Sequence, residues 1–399
     1  LTPLAYRTDD FGASWRPITD GLPEAPVRVI REDPVVPGLL FAGTEVGVLV
    51  SFDGGARWRS LQTNLPVTPV TDLVVKGNDL VISTQGRGFW VLDDMSPLRA
   101  LGGDGVRLFP IAAAFALQGT GSPSRTAEAR NPPAALIYYR LDSLAASAPV
   151  EIEVRDSGGT AVLYSVRLAQ ADRPGNDILV HGARPMATPA DAGPGGEARP
   201  GLNRLEWDLS TRPPTRIDDV FDNEAPGYRV RPGRYRARLT TSRGVFEESF
   251  EVRPDPRLGP VSEAAVDQKY QLLRQLTAVF DTMARTVNRF HALRPALDSV
   301  VRRGGRAGRS AAALVDAIGQ WEAGAVAREI EDGNDRVDFD GRLAFDLIVA
   351  MAWLDGSDPP VTSGFVDVAR ELAARWAALE TAARDLGARA AALVPPRRD

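Results

Sequence analysis

The chain of 399 residues contains no cysteine and only two histidines, His181 and His291. The absence of cysteine excludes disulfides, a thiolate nucleophile and a zinc ribbon. Two histidines are too few for most histidine-ligated metal centres and argue against a Ser-His-Asp hydrolase. No run of about 18 apolar residues occurs, so the sequence predicts no membrane span. We therefore expect neither a cofactor nor a bound metal.

The composition is that of an ordinary globular protein, with 44% hydrophobic and 25% charged residues. Its length predicts two or three domains. The net charge of −5 provides no general basic field, so we expect no nucleic-acid partner. The first residue is Leu1 rather than Met, and no targeting pattern follows it, so we expect the tail of a longer protein.

An eight-residue pattern occurs twice, at Thr8–Trp15 and, 43 positions later, at Ser51–Trp58. The same offset carries Leu22-Pro23 onto Leu65-Pro66, and a partial third unit runs from Leu80 to Asp94. Each unit contains short β-rich runs separated by Gly, Pro and Asp turns. A period of about 40–50 residues with four strands is typical of a β-propeller blade. About two blades are present and a ring needs at least about four, so we expect the others upstream.

Each position of the repeated pattern has a structural task in a tight hairpin. Asp at the third position can return its carboxylate to the amides of the turn, and Gly at the fifth can adopt a positive φ. Ser or Thr at the first position adds a hydroxyl bond across the hairpin, and the final Trp packs between neighbouring blades. We therefore interpret the pattern as structural and assign it no catalytic residue. Its residues are Thr8, Asp10, Gly12, Trp15, Ser51, Asp53, Gly55 and Trp58.

The chain changes character twice after residues 1–104, which hold these last two blades. Residues 105–256 keep short β runs but lose the period, which predicts an Ig-like or fibronectin-like antiparallel sandwich. Residues 257–399 carry apolar side chains every three or four positions, which predicts a helical bundle or hairpin. The expected fold class is multidomain, mainly β and then α, with loops at 119–133 and 183–201. The expected helix N-caps are Ser262 and Ser310.

The eight-residue pattern resembles the Asp-box (BNR) repeat of sialidases, xyloglucan-cleaving two-propeller enzymes and the sortilin luminal domain. Ser83–Asp94 resembles the closing blade of large bacterial secreted proteins of the glycosyl hydrolase or sortilin-like BNR type, which continue into an Ig-like domain and a helical tail. Further similar segments lie at 131–139, 201–209, 232–235 and 356–360. The resemblance covers nearly the whole chain and implies a secreted or periplasmic protein. The relatives often have His where Gln85 stands, so this loop lacks one acid/base group.

The resemblance also implies where a ligand would bind. In Asp-box propellers the loop between the second and third strands of a blade faces the pocket, and here those loops carry Glu45, Gln85 and Arg87. Arg87 can clamp a carboxylate through two hydrogen bonds, as sialidases clamp sialic acid, or it can order its own loop. A sialidase also needs an arginine triad, a Tyr–Glu pair and an Asp acid/base. A lone Glu45 does not make the carboxylate pair of other glycosidases, so no complete catalytic site is expected in this portion.

Other polar and aromatic groups admit both a structural and a functional interpretation. Residues 332–343 have the spacing of a calcium loop, but Arg336 and Leu343 replace two oxygen ligands, which favours a solvated linker. The acidic segment 218–224 is favoured as a polar loop over a metal site. Two aromatic sets can form a carbohydrate platform or a ligand cage, and both are favoured as core. They are Tyr138, Tyr139, Trp207 and Tyr235 in the sandwich, and Trp321, Trp353 and Trp376 in the bundle.

The sequence leaves two main functions open. The first is a scaffold whose propeller face binds carbohydrate or polypeptide. The second is a glycoside hydrolase, sialidase-like or other, whose catalytic residues lie mainly in the upstream blades. A third role concerns the helical tail alone, where an exposed stripe over Phe365–Leu393 would bind another protein or a second copy of the chain.

Overall fold

The computed structural model describes residues 2–61, 65–101, 105–117, 134–170, 179–181, 197–220, 225–330 and 342–394. Over these ranges the chain forms several β-sheets and then long helices, so the predicted mixed β and α character is confirmed. The loop expected at 119–133 lies outside the described residues, and so does most of the one expected at 183–201.

Three small antiparallel sheets follow one another in the repeat region. The described strands number two in the first sheet, four in the second and three in the third, and each sheet pairs consecutive strands. The repeat in sequence therefore corresponds to a repeat in strand order. The strands are β1 (Tyr6–Arg7), β2 (Arg16–Pro17), β3 (Val27–Glu32), β4 (Leu40–Thr44), β5 (Gly47–Ser51), β6 (Arg59–Ser60), β7 (Val70–Lys76), β8 (Asp79–Thr84) and β9 (Phe89–Leu92).

The second sheet is covered on both faces, and every residue of β4 and β5 is buried. Ala42 packs with the first sheet, whereas Phe41, its neighbour in sequence, packs with the third, because successive side chains of a strand point to opposite faces. The third sheet approaches the second sheet closely at Gly43. A Cβ there would lie 2.6 Å from Cγ1 of Val70 and 2.7 Å from Cγ1 of Val29, so the position needs glycine.

The third sheet is covered on one face only. Leu73 and Leu80 are buried against the second sheet. On the other face, Val74 is 50% exposed and Val91 is 42% exposed, and both lie in register with Val81 of the central strand. Phe89, at the start of the edge strand, is 79% exposed. This sheet therefore presents an apolar face that no described residue covers.

A sandwich of two sheets follows. A four-stranded sheet in the order β10-β12-β17-β15 packs on a six-stranded sheet in the order β11-β19-β18-β13-β14-β16. Trp207 fills the core between them, with its ring edge-on to that of Phe250 at 6.0 Å between centroids. The strands are β10 (Arg107–Leu108), β11 (Ala114–Ala116), β12 (Ala135–Leu141), β13 (Val150–Asp156), β14 (Val162–Gln170), β15 (Leu179–His181), β16 (Glu197–Ala198), β17 (Gly201–Trp207), β18 (Gly233–Thr241) and β19 (Gly244–Pro254).

The sandwich also packs against the third sheet. Tyr138 of β12 and Leu202 of β17 share a hydrophobic cluster with Met95 and with Leu98 of the short helix α1 (Ser96–Arg99). The four aromatic residues of the predicted sandwich set, Tyr138, Tyr139, Trp207 and Tyr235, are all buried. They therefore pack in the cores and do not form an exposed carbohydrate platform.

Four long helices form the last part of the chain, after α2 (Ser143–Ala146) in the sandwich. They are α3 (Glu263–Arg303), α4 (Gly305–Ala325), α5 (Arg342–Gly356) and α6 (Ser363–Leu393). Ser262 caps α3, as predicted, by accepting a hydrogen bond from the amide of Ala265. The prediction for Ser310 is wrong, because α4 begins five residues earlier, after Gly304. Of the helices described, none is long and apolar enough to cross a membrane.

The predicted tryptophan core of the bundle is correct for two of three residues. Trp321 and Trp376 are 6% and 5% exposed, and the indole nitrogen of Trp321 donates to the carbonyl of Leu379 at 2.8 Å. Trp353 is 70% exposed, so its placement in the core was wrong. It lies on the outer side of α5, where sequence periodicity alone does not separate it from the buried stripe.

Arg229 attaches the sandwich to the C-terminal end of α5, and Lys269 of α3 holds the same end of α5 within the bundle. Arg229 Nε donates to Asp355 Oδ2 at 3.1 Å and its Nη1 donates to the carbonyl of Leu117 at 3.0 Å. The buried Nζ of Lys269 donates to the carbonyls of Asp355 and Ser357 at 3.0 and 2.7 Å. Burial lowers the pKa of Lys269, and the Asp355 carboxylate opposes this change. The C-terminal end of α5 is thereby held against the sandwich.

Candidate functional site

The first copy of the eight-residue pattern forms a closed turn between β1 and β2. Asp10 Oδ1 accepts from the amide of Ser14 at 2.9 Å and from the Thr8 hydroxyl at 2.8 Å, and Oδ2 accepts from the Ser14 hydroxyl at 2.6 Å. Gly12 has φ 95° and donates its amide to the Thr8 hydroxyl at 2.8 Å. The Ser14 hydroxyl and amide, followed by the Thr8 hydroxyl, lower the pKa of Asp10 to about 2. A carboxylate held in this way is a poor proton donor.

The second copy repeats this geometry between β5 and β6. Asp53 Oδ1 accepts from the amide of Arg57 at 2.9 Å and from the Ser51 hydroxyl at 2.7 Å. Gly55 has φ 89° and donates to the Ser51 hydroxyl at 2.9 Å. Burial raises the pKa of Asp53, but the hydrogen bonds from Arg57 and Ser51 outweigh it and leave the pKa lowered. The hydroxyl bond thus lies inside the turn, rather than across the hairpin as expected.

The two tryptophans of the pattern have different surroundings. Trp58 is 3% exposed, and its indole nitrogen donates to the carbonyl of Ile18, at the end of the preceding sheet, at 2.8 Å. Trp15 is 62% exposed, and the neighbouring Phe11 is fully exposed. The described residues therefore cover the second tryptophan and leave the first open.

The predicted ligand residues lie at the opposite end of the strands from these turns, on two hairpins with the same design. In the β4–β5 hairpin the Thr44 hydroxyl donates to the carbonyl of Gly47 at 2.9 Å. In the β8–β9 hairpin the Thr84 hydroxyl donates to the carbonyl of Gly88 at 2.7 Å. The amide of Glu45 donates to Pro26, and that of Gln85 donates to Pro69 in the same way, at 3.2 and 2.9 Å. Each hairpin loop is thus hydrogen-bonded to the residue that precedes the first strand of its sheet.

The side chains on these hairpins differ in their partners. Glu45 Oε1 accepts from Arg28 Nε at 2.8 Å and also from Arg28 Nη2, so its charge is paired. Gln85 and Arg87 are exposed. The carbonyl of Arg87 accepts from the indole nitrogen of Trp90 at 3.1 Å, but among the described residues its guanidinium has no hydrogen bond or ion pair. The backbone and two glycines of positive φ, Gly86 and Gly88, therefore shape the loop, and the guanidinium projects from it.

An acidic cluster at the other end of the third sheet was not predicted from the sequence. Burial raises the pKa of Asp93, Asp79 and Asp94 raise it further, and Arg204 of the sandwich opposes them. Asp94 Oδ1 accepts from the amide of Ser96, the first residue of α1, at 3.1 Å. Across the ranges that the structure describes, no three His, Asp or Glu side chains are arranged to hold a metal ion. The cluster belongs to the contact between the third sheet and the sandwich.

The other acidic candidates have structural surroundings or fall outside the description. Asp218 donates its amide to Asn288 Oδ1 at 3.0 Å, and Asp219 Oδ2 lies 3.3 Å from Nε2 of His291. Both therefore fasten the loop to α3. Most of the calcium-like segment, 331–341, lies outside the described residues, as do 221–224.

Comparison with known proteins gives a weak structural similarity and no family assignment. No family profile matches the chain, and no curated protein matches it. Among solved structures, it is similar to the crystal structure of an ancestral GH74 enzyme, with 12% sequence identity and a TM-score of 0.19. The match covers 61% of this chain and 28% of that protein, so the chain spans about a quarter of its length. The chain thus has a distant structural similarity to a glycoside hydrolase.

Proposed function

We propose that this chain is the C-terminal part of a secreted Asp-box propeller protein, and that its two hairpins bind a glycan or polypeptide. The observation that carries the proposal is the exposed guanidinium of Arg87, which has no partner among the described residues and lies on a loop held by backbone and side-chain hydrogen bonds. An arginine of this kind binds carboxylates through two parallel hydrogen bonds. The favoured ligand class is therefore an anionic glycan or an acidic peptide.

The packing of the three sheets supports a propeller. The second sheet is buried on both faces between its neighbours, as an internal blade would be. The outer faces at either end of the row expose Trp15 and Phe89. In a closed ring both faces would be covered by further blades. The sandwich then braces the last blade through the hydrophobic cluster that Tyr138 shares with Met95.

Binding is favoured over catalysis in this portion. Hydrolysis of a glycoside by most families needs two carboxyl groups beside the scissile bond. Glu45 is the single acid on the two hairpin loops, at 44–46 and 84–88, and Arg28 neutralises it. The alternative is a glycoside hydrolase whose remaining catalytic residues lie in upstream blades. Glu45 favours that alternative because its carboxylate lies at the end of the sheet where a sugar would be bound.

The test is binding of the 399-residue chain to an array of neutral and anionic oligosaccharides and acidic peptides. We expect Arg87→Ala to weaken binding of the carboxylate ligands about tenfold or more, as expected for a lost charged hydrogen bond. Arg57→Ala is the matched control, because Arg57 is also exposed but lies on the octapeptide turn at the other end. Equal binding by Arg87→Ala and the unmodified chain would contradict the proposal. Turnover of a glycoside by this chain alone would contradict the assignment of binding only.

A further inference from the structure

An open groove runs along the surface of the bundle between α5 and α6. It has a volume of about 410 Å³. Its walls are mostly aromatic and aliphatic, and its polar groups are two carboxylates and one guanidinium. The lining residues are Phe345, Asp346, Val349, Ala350, Trp353, Phe365, Val368, Glu371, Leu372 and Arg375.

The apolar part of the groove is accessible to solvent. Trp353 is 70% exposed and Val368 is 45% exposed, and they face the same groove from different helices. Burying a large aromatic side chain contributes strongly to binding, and tryptophan is prominent among the residues that dominate protein interfaces. Trp321 and Trp376 of the same bundle are buried, so the exposure of Trp353 is not a general feature of its tryptophans.

The charges of the groove define the chemistry of its ligand. Arg375 Nη1 donates to Asp346 Oδ2 at 2.7 Å, so these two charges compensate each other. Glu371 is exposed and, within the described ranges, has no hydrogen bond or ion pair from its side chain. The groove therefore carries one uncompensated negative charge beside its apolar surface. A ligand that complements it combines an apolar surface with a positive charge.

The shape of the groove fits a helix better than a small molecule. Its lining residues on α5 recur every four positions from Phe345 to Trp353, which spans about 12 Å at 1.5 Å per residue, or roughly two helical turns. The wall contributed by α6, from Phe365 to Arg375, is of similar length. A groove between two helices with apolar anchors at helical spacing is the surface that an amphipathic helix occupies. A small ligand would remain largely exposed in so open a groove.

We propose that this groove binds an amphipathic helix of another protein. The apolar stripe of that helix would pack on Trp353, Phe365 and Val368, and a Lys or Arg beside the stripe would pair with Glu371. A second copy of this chain is a poorer occupant if it uses the same surface. A symmetric contact places the same patch on both sides, and each would bring an uncompensated carboxylate.

The test uses the whole chain and two fluorescent peptides of about 16 residues, a length at which a helix can be maintained in solution. Both carry Leu and Phe at helical spacing, and they differ only in having Lys or Glu beside the stripe. Binding is measured by fluorescence anisotropy. We expect the Lys peptide to bind more tightly. Trp353→Ala should weaken both peptides about tenfold or more, and Glu371→Lys should reverse the preference between them.

The matched controls are Trp15→Ala, at an exposed tryptophan in the turn between β1 and β2, and Asp316→Lys, at an exposed acid on α4. Both should leave peptide binding unchanged. The proposal is overturned if neither peptide binds, if the two peptides bind equally, or if a control variant loses as much affinity as its counterpart. It is also overturned if light scattering shows a dimer that Trp353→Ala dissociates, because the groove would then be occupied by a second copy.

Discussion

The second and third sheets have the same strand order and pair in the same way, but they differ in burial. All ten residues of β4 and β5 are buried, whereas the pattern along β9 alternates between exposed and half-buried. The difference does not come from the strands themselves, because β4 and β5 of the second sheet and their counterparts β8 and β9 of the third are all rich in apolar residues. It arises because the second sheet has a neighbour on each face and the third has one. A repeated unit therefore acquires its stability from its position in the row, as in other repeat architectures.

The same contrast holds for the two copies of the eight-residue pattern. Their turns have nearly identical hydrogen bonds around Asp10 and Asp53. Their tryptophans differ, because Ile18 and the first sheet cover Trp58, and no described residue does the same for Trp15. The pattern thus encodes the turn locally, while the tryptophan contributes only where a preceding sheet is present. This separation can be tested by substitution.

We expect Trp58→Ala to have the largest effect on the free energy of unfolding. Removing a buried tryptophan should lower the free energy of unfolding by about 3–5 kcal/mol, since it leaves a cavity and an unpaired carbonyl at Ile18. Trp15→Ala should change it by less than about 1 kcal/mol, because that side chain is already largely in water. Urea unfolding followed by circular dichroism measures both. Similar losses for the two variants would show that position in the row does not set the contribution of the tryptophan.

Asp33→Asn should have a smaller effect that depends on pH. The buried Asp33 accepts hydrogen bonds from the amides of Val35 and Val36 at 2.8 and 2.7 Å and from Arg99 Nε at 2.9 Å, which joins the second sheet to α1. Burial raises the pKa of Asp33, but these bonds outweigh it, so the pKa lies below its ordinary value of 3.8. We expect the loss near neutral pH to be about 1.5–3 kcal/mol.

The direction of this pH dependence follows from the lowered pKa of Asp33. Stability contributed by the Asp33 carboxylate is fully present above 3.8 and disappears as the pH falls through the lower folded value. The difference between wild type and Asp33→Asn should therefore shrink below about pH 4. The matched control is Asp72→Asn, whose carboxylate pairs with Arg31 at 2.9 Å on the surface and should change stability by less than about 1 kcal/mol. If the difference in free energy of unfolding between wild type and Asp33→Asn stayed constant down to pH 2, the ionised Asp33 carboxylate would not be its cause.

Local patterns predicted much of the fold. The short β runs predicted over residues 105–256 correspond to the strands of two packed sheets. The periodicity of α3 and α6 likewise follows from side chains buried at helical spacing. The misplacements arise where tertiary packing decides. Ser310 lies inside α4 because Gly304 provides an earlier break, and Trp353 is exposed because it lines the open groove between α5 and α6.

The candidate site was less accessible to sequence reasoning. The hairpins at Glu45 and Arg87 were identified by their place in the repeat. The pairing of Glu45 with Arg28 depends on strand register, which the repeat alone does not specify. The cluster around Asp93 was missed because Arg204 is more than a hundred residues away in sequence. The signal present in the sequence was the adjacent pair Asp93-Asp94 at the end of an apolar strand.

The smallest effect is expected on the open face of the third sheet. Phe89→Ser should change the free energy of unfolding of this chain by less than about 0.5 kcal/mol, because the ring is 79% exposed. It should also reduce self-association in light scattering, since it removes an aromatic group beside an unpaired strand edge. In a protein extended upstream, where the proposed ring covers this face, the same substitution should cost about 3 kcal/mol or more. Measuring the cost of Phe89→Ser in both proteins distinguishes three sheets with an open outer face from a closed propeller ring. An equally small cost in both proteins would mean that nothing packs on Phe89 and that the ring does not close there.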